Sequence, residues 1–278
     1  MTTSGLLSIA EIAKKAIGRR DWQTLEFAAS KLCSEYPNEP DTFFVTGVLA
    51  KARGQYDEAQ RSFEHGLSLA PERYDLAVEL ASLYGRILKH GEAFTLLNKV
   101  TSLLCDSPLY CDMAGSVLIS LGMPDRALPL AQRAHELQPE VDVFAANLAH
   151  CLSFVGQHKQ SAELYKALLL KNPNHRRNHY ALARVQRALD TSHIEQMNGV
   201  MANDPAPENR NIPLFFAKGK EYEDLGLWKE AYKAYEAGCN AVRGIRKTGF
   251  GQELSRLQQT AGMVWRDEPA LSRSVGRF

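Results

Sequence analysis

Residues 41–71 read DTFFVTGVLAKARGQYDEAQRSFEHGLSLAP, and this window has the pattern of two helices joined by a tight turn. Apolar residues recur with helical spacing as far as Gly54, and glycine commonly ends a helix because it adopts the left-handed backbone conformation without strain. Tyr56 begins a second amphipathic segment, and Pro71 closes it. One such pair cannot bury its own apolar face, so the window predicts a unit that stacks on neighbours.

The same pattern returns along the chain with a period of 34 residues, the distance from Pro37 to Pro71. A regular period of this length is typical of helical arrays in which each unit packs only against the next. The sequence therefore predicts an all-α fold. The residues that keep the period are five prolines and six small residues: Pro37, Pro71, Pro139, Pro173 and Pro207, and Ala13, Gly47, Ala81, Gly115, Ala149 and Ala183.

These windows resemble the tetratricopeptide repeat, which has a small residue in its first helix, Gly-x-Tyr-x-x-Ala at its turn and a closing proline. Residues 54–59 (GQYDEA) and 226–231 (GLWKEA) carry the resemblance most clearly. It implies a right-handed superhelical solenoid of about seven helix-turn-helix units over residues 6–245, with a capping helix and tail over 246–278. The predicted repeats are 6–39, 40–73, 74–107, 108–141, 142–175, 176–209 and 212–245.

Residues 182–265 are similar to a narrower family, the repeat region that precedes the catalytic domain of bacterial tetratricopeptide-repeat sulfotransferases. The sixth repeat is irregular, with Asp190 at the turn and Glu195 in place of alanine, which predicts irregular packing of its second helix. The other residues that carry this resemblance are Asn203-Asp204-Pro205, 216–226 (FAKGKEYEDLG) and Gly238-Cys239-Asn240.

This second resemblance implies that a sulfotransferase domain follows the repeats and opens with a strand and a phosphate loop. A phosphate loop works through backbone N–H groups at a helix N-terminus. The residues that precede Phe278 contain no such strand, loop and helix. The activity is therefore not carried over, and two alternatives stay open: an excised repeat region, or a protein made of repeats alone.

Composition excludes several classes of protein. The net charge of +1, from 33 basic and 32 acidic residues, disfavours a general nucleic-acid or membrane-surface binder. Apolar runs such as 168–170 fall far short of the ~20 residues that a membrane-spanning helix needs. Residues 1–10 lack the basic and apolar regions of a secretory signal. Five cysteines without a Cys-x-x-Cys pair predict reduced thiols in the core and a cytoplasmic protein.

A search for catalytic motifs finds no His-Glu-x-x-His, Gly-x-Ser-x-Gly or Walker loop. His175 and His179 have the spacing of zinc ligands on one helix, but Pro173 places His175 in a turn. Both are therefore interpreted as surface histidines. We predict no enzyme activity, no catalytic residue, no cofactor and no metal site.

Charge placement is the feature that predicts a binding surface. Six basic residues and no acidic residue lie between Leu164 and Leu189, so the rest of the chain carries +1 − 6 = −5. The first helix of each repeat lines the concave groove in the family that the sequence resembles. The residues at groove-facing positions of the sixth repeat and its neighbours are Arg177, Tyr180, Arg184, Arg187, His150, Phe154, Phe216 and Lys220.

Guanidinium groups pair with carboxylates through two hydrogen bonds, and aromatic rings supply apolar anchors. The sequence therefore predicts a non-catalytic protein–protein interaction scaffold that binds an extended, acidic segment of a partner. A solvated basic face is the alternative interpretation of the same residues. The alternative function is a substrate-presenting module of a sulfotransferase whose catalytic domain is absent from this chain. Nucleic acid is the least favoured partner, because the basic run is short and the rest of the chain is acidic.

Overall fold

A computed structural model describes residues 2–104, 106–203 and 208–244, and these ranges contain fourteen α-helices and no strand. The predicted all-α class is confirmed. The capping helix predicted within 246–278 lies outside the described residues. The helices are α1 (Thr2–Arg19), α2 (Trp22–Glu35), α3 (Pro40–Ala52), α4 (Tyr56–Leu69), α5 (Tyr74–Arg86), α6 (His90–Val100), α7 (Pro108–Ser120), α8 (Pro124–Leu137), α9 (Asp142–Phe154), α10 (His158–Lys171), α11 (Arg176–Val185), α12 (Ser192–Asn203), α13 (Ile212–Asp224) and α14 (228–244).

A recurring tight turn ends the first helix of most pairs. At the end of α3 the backbone N–H of Gln55 donates to the carbonyl of Ala50 at 3.0 Å, the long hydrogen bond of a Schellman motif. That motif needs a left-handed residue just before Gln55. Glycine fills the position with φ between 74° and 80°, whereas Arg20 (φ 55°) and Leu88 (φ 62°) fill it in two other turns. The glycines are Gly54, Gly122, Gly156 and Gly226.

The described residues divide into two compact units, the first ending at Leu164 and the second beginning at Tyr165. In the first unit, small residues let paired helices approach closely. A Cβ atom placed on Gly47 would lie 2.5 Å from a ring carbon of Phe63, so α3 and α4 can pack this closely only with glycine there. Phe63 is fully buried as a result. The small-residue series in the sequence therefore marks helix–helix contacts.

In the second unit, α11, α12 and α13 share an apolar cluster that includes Ile194, Met197 and Leu214. α11 has 10 residues against 13 in α13, and its chain becomes extended at Gln186 (φ −124°, ψ 138°). The irregularity of the sixth repeat therefore includes its first helix and the turn. The second helix, α12, also packs irregularly, as the sequence predicts: it buries Ile194, Met197 and Val200, but it approaches α11 and α13 much less extensively than the paired helices of the first unit approach each other.

Gly219 of α13 repeats the close approach seen in α3, since a Cβ atom there would lie 2.5 Å from the ring of Tyr235 on α14.

Cysteine placement follows the prediction only in part. Cys111 and Cys151 are buried, whereas Cys33 and Cys239 are exposed. None of the helices within the described ranges combines the length and apolar character needed to cross a bilayer.

Candidate binding site

The predicted basic residues of α11 form an exposed surface on that helix. Arg177 and Arg184 are exposed, and Tyr180 is half-buried between them. The guanidinium carbon of Arg184 lies 5.7 Å from the centre of the Tyr180 ring, within the range of a cation–π contact. Arg187 differs from the prediction: α11 ends at Val185, so Arg187 lies beyond the helix instead of continuing the same helical face.

Lys220 and Phe216 hold the neighbouring chain segments together. The ammonium group of Lys220 donates to the carbonyl of Gln186 at 2.7 Å and to Asp224 Oδ2 at 2.6 Å. The Asp224 carboxylate also accepts from the backbone N–H of Ala188 at 2.8 Å. These contacts fix the segment that follows α11 and pair the positive charge of the partly exposed Lys220 with Asp224. Phe216 is half-buried, with its ring centre 6.2 Å from that of Tyr235.

His150 and Phe154 lie on α9 in the first unit. Their rings meet edge to face with centroids 4.9 Å apart, and Phe154 is 54% exposed. His150 also borders a cavity of about 330 Å³ together with Asp112 and Asn147. The Nδ2 group of Asn147 lies 2.9 Å from both carboxylate oxygens of Asp112. The assignment of His150 and Phe154 to one groove with α11 stays a prediction.

A buried polar network, absent from the sequence-based site, joins three helices of the second unit. His179 on α11 contacts the carbonyl of Pro173 through Nε2 at 2.7 Å and His193 Nε2 through Nδ1 at 2.8 Å. His193, on α12, contacts Glu221 Oε1 of α13 through Nδ1 at 2.5 Å. His179 is 1% exposed and Glu221 is 3% exposed. The network thus runs from a backbone carbonyl to a buried carboxylate.

The hydrogen-bond partners of this network determine which of its nitrogen and oxygen atoms carry protons. The Pro173 carbonyl can only accept, so Nε2 of His179 donates to it. Burial lowers the pKa of His179 and favours the neutral ring, whose Nδ1 then accepts from His193 Nε2. One further proton must lie between His193 Nδ1 and Glu221. Whether that proton is on the imidazole or on the carboxyl, the three side chains together carry no net charge.

The second oxygen of Glu221 is the unusual atom of the network. Oε2 is buried and has no hydrogen-bond partner in the part of the chain that the structure describes. Buried polar atoms in native proteins are nearly always paired, and an unpaired one costs roughly 1–3 kcal/mol. Such an atom calls for an explanation in terms of what it binds.

A cavity of about 820 Å³ lies beside this network in the second unit. His179, His193 and Glu221 contribute to its wall, and Lys166 and Arg187, both exposed, also border it. The residues that follow the shortened α11, from Gln186 to Asp190, form another part of the wall. Across residues 2–104, 106–203 and 208–244, no group of three or more His, Cys, Asp or Glu side chains is arranged to hold a metal ion.

The interpretation of His179 as a surface histidine is wrong. His179 precedes Ala183 by four residues, so helical periodicity places both on one face, and Ala183 belongs to the inward-facing small-residue series. His175 does lie in the turn, where its Nδ1 accepts from the backbone N–H of Asn178 at 3.2 Å and caps α11. No sequence pattern predicts that His193 and Glu221 contact His179, because the three residues lie on three different helices.

Residues 118–185 match the family model of the tetratricopeptide repeat. Together with the paired helices and their recurrent glycine turns, this match decides the fold. The chain has the fold of tetratricopeptide-repeat proteins. The sequence matches no curated protein.

Solved tetratricopeptide-repeat structures agree with this assignment. The crystal structure of YrrB, a TPR protein with an unusual peptide-binding site, has a TM-score of 0.51 and 18% identity, and the match covers 64% of this chain and 93% of that one. The thermophilic TPR protein TTC0263 of Thermus thermophilus has a TM-score of 0.52 and 13% identity, with coverage of 65% and 98%. A protein from Parabacteroides merdae has a TM-score of 0.51 and 14% identity, with coverage of 86% and 93%. At these identities the likeness concerns the fold alone.

Proposed function

We propose that this tetratricopeptide-repeat chain is a non-catalytic, cytoplasmic scaffold that binds an extended acidic segment of a partner protein. The observation that carries the proposal is the exposed surface of α11, on which Arg177 and Arg184 flank Tyr180. The repeat fold supports a role in protein interaction, and the related fold of YrrB is that of a protein with a peptide-binding site. Residues 6–245 form the proposed array.

The chemistry of the α11 surface favours carboxylates. A guanidinium group presents two parallel N–H donors to a carboxylate, and the contact of Arg184 with the Tyr180 ring restricts the orientation of both side chains. Preorganised aromatic and arginine side chains commonly supply most of the binding energy of an interface. Lys220 adds less to this surface than the sequence predicts, because Asp224 already pairs its charge. The alternative of a sulfotransferase module rests on sequence resemblance and stays a prediction.

A defined acidic probe tests this proposal. The probe is a fluorescein-labelled peptide of alternating Glu and Leu, and its binding is measured by fluorescence anisotropy. We expect the double variant Arg177→Glu/Arg184→Glu to weaken binding about tenfold or more, since two favourable charge pairs become repulsive. Added salt should weaken the wild-type complex.

The matched control is Lys229→Glu/Lys233→Glu on α14, which makes the same change in net charge at two other exposed positions of the second unit. This control should bind the peptide with nearly wild-type affinity. Circular dichroism verifies that both double variants keep their helices. Equal weakening in the two variants would show that only net charge matters and would contradict a specific site on α11.

A further inference from the structure

We propose that the cavity beside His179, His193 and Glu221 is a binding site for a small organic acid that carries a neutral N–H or O–H donor at its opposite end. This site is separate from the exposed surface of α11 and goes beyond the proposed scaffold function. Three features carry the inference: the size of the cavity, the buried and unpaired carboxylate oxygen of Glu221, a residue of its wall, and the basic residues at its border.

The cavity has the dimensions of a ligand site and a local structural cause. Its volume of about 820 Å³ falls in the range typical of small-molecule pockets. α11 is about one helical turn shorter than α13, with 10 residues against 13. The chain from Gln186 to Asp190 follows it as a loop that borders the cavity. The irregular sixth repeat is therefore the part of the array that makes room for a ligand.

The buried end of the cavity selects a hydrogen-bond donor. Oε1 of Glu221 is engaged with His193, whereas Oε2 has no partner among the described residues. A ligand N–H or O–H group that donates to Oε2 would remove the cost of leaving this oxygen unpaired. The network carries no net charge, so a neutral donor completes it without burying an uncompensated charge. An ammonium group would introduce one, which disfavours it at this end.

The exposed border selects an anion. Lys166 and Arg187 both border the cavity and are exposed, whereas His179 and Glu221 are buried. Asp190 is the acidic residue at the same border, but its carboxylate accepts the backbone N–H of Ser192 at 2.9 Å at the start of α12. The two cations are thus available to a ligand carboxylate.

The lining also includes apolar side chains, among them Leu169, Leu182 and Val200, which suit the carbon body of the ligand.

Three small molecules test both ends of the cavity. 4-Hydroxyphenylacetate has a phenolic O–H and a carboxylate, phenylacetate lacks the O–H, and tyramine replaces the carboxylate with an ammonium group. Binding to the full chain is measured by isothermal titration calorimetry. We expect 4-hydroxyphenylacetate to bind about tenfold or more tightly than phenylacetate, since its phenolic O–H can donate to Glu221 Oε2, which phenylacetate leaves unpaired. Tyramine should bind more weakly than 4-hydroxyphenylacetate because its cation meets Lys166 and Arg187.

Two variants assign these preferences to residues. Glu221→Met should abolish the advantage of the phenolic O–H, and Arg187→Gln should reduce the advantage of the carboxylate while leaving that of the O–H. Arg210→Gln is the matched control, since Arg210 is exposed in the same unit and does not line the cavity. If Glu221→Met does not fold, the three-ligand comparison on the wild-type chain and Arg187→Gln still test the site.

The proposal is overturned if 4-hydroxyphenylacetate fails to bind at millimolar concentration, or if it binds no better than phenylacetate. It is also overturned if Arg210→Gln changes ligand preference as much as Arg187→Gln does. The acidic peptide tests the α11 surface through Arg177 and Arg184, and neither residue lines the cavity. Failure of the scaffold proposal and failure of this one are therefore separate results.

Discussion

Leu88 occupies the left-handed turn after α5, where φ is 62°, and its position in the repeat is the one that glycine fills after α3 and α7. An L-residue with a Cβ atom is strained there by roughly 1–2 kcal/mol, whereas glycine is not. Glycine also gives the unfolded chain more freedom, which costs roughly 0.5–1 kcal/mol. Taken from the middle of each range, the difference predicts that Leu88→Gly raises the free energy of unfolding by about 0.5–1 kcal/mol.

The side chain of Leu88 is 77% exposed, so its removal sacrifices little apolar burial. Leu88→Ala controls for that loss, because alanine removes most of the side chain but keeps the Cβ atom and therefore the strain. Gly122→Ala makes the reverse change at the equivalent turn, where φ is 74°, and should destabilise the protein. The three variants together separate backbone conformation from side-chain contacts.

Urea denaturation followed by circular dichroism measures the effect. For a denaturant slope of about 1–3 kcal/mol/M, the midpoint of Leu88→Gly should rise by about 0.2–1 M with the slope unchanged. Leu88→Ala should not share this rise. Equal midpoints for Leu88→Gly and Leu88→Ala would refute the reasoning, since the two variants differ only in the Cβ atom at a left-handed residue.

Three further predictions concern packing, titration and thiol reactivity. Gly219→Ala should lower the free energy of unfolding by about 1–3 kcal/mol, because its Cβ atom would lie 2.5 Å from the Tyr235 ring. A urea midpoint equal to that of the wild type would contradict this close contact. Burial lowers the pKa of His179, so the unfolded chain binds this proton more readily. Stability should therefore fall as pH drops below the unfolded pKa of about 6.5, and less steeply in His179→Gln; parallel pH profiles would argue against the shift. Burial raises the pKa of Cys151 to about 11, so iodoacetamide at pH ~8 should modify the exposed Cys33 well before Cys151. Peptide mass spectrometry measures the two modifications, and the difference should disappear when urea unfolds the chain.

The helical class of this protein was predictable because its causes are local. Gly54 ends α3 through its own backbone conformation, and Gly47 marks a contact with the next helix in the same repeat. Such features depend on residues a few positions apart, or on one neighbouring helix, and they recur with the period of the repeat. A single window and its spacing were therefore enough to predict paired helices and an all-α fold.

The surface of α11 follows from helical spacing only in part, for a similar reason. Arg177 and Arg184 are exposed on α11, whereas Arg187, which helical spacing assigned to the same helical face, lies beyond the helix. Their role in binding a partner stays a prediction. The helix ends two residues earlier, because the chain turns extended at Gln186 and Lys220 holds the carbonyl of that residue. This hydrogen bond joins residues that are 34 positions apart in the sequence, so no local sequence pattern predicts it.

The repeat period, the helix pairs and the turns could be read from the chain alone, since these follow from backbone preferences and from apolar spacing within one unit. Which polar side chains meet depends instead on how the helices pack. His179, His193 and Glu221 come from three helices, and successive members are 14 and 28 positions apart in the sequence. Their hydrogen bonds depend on how those helices pack, and that packing also shapes the cavity beside Glu221. The burial of these side chains and the geometry of their hydrogen bonds are properties of the packed helices, so a periodic sequence pattern does not predict them.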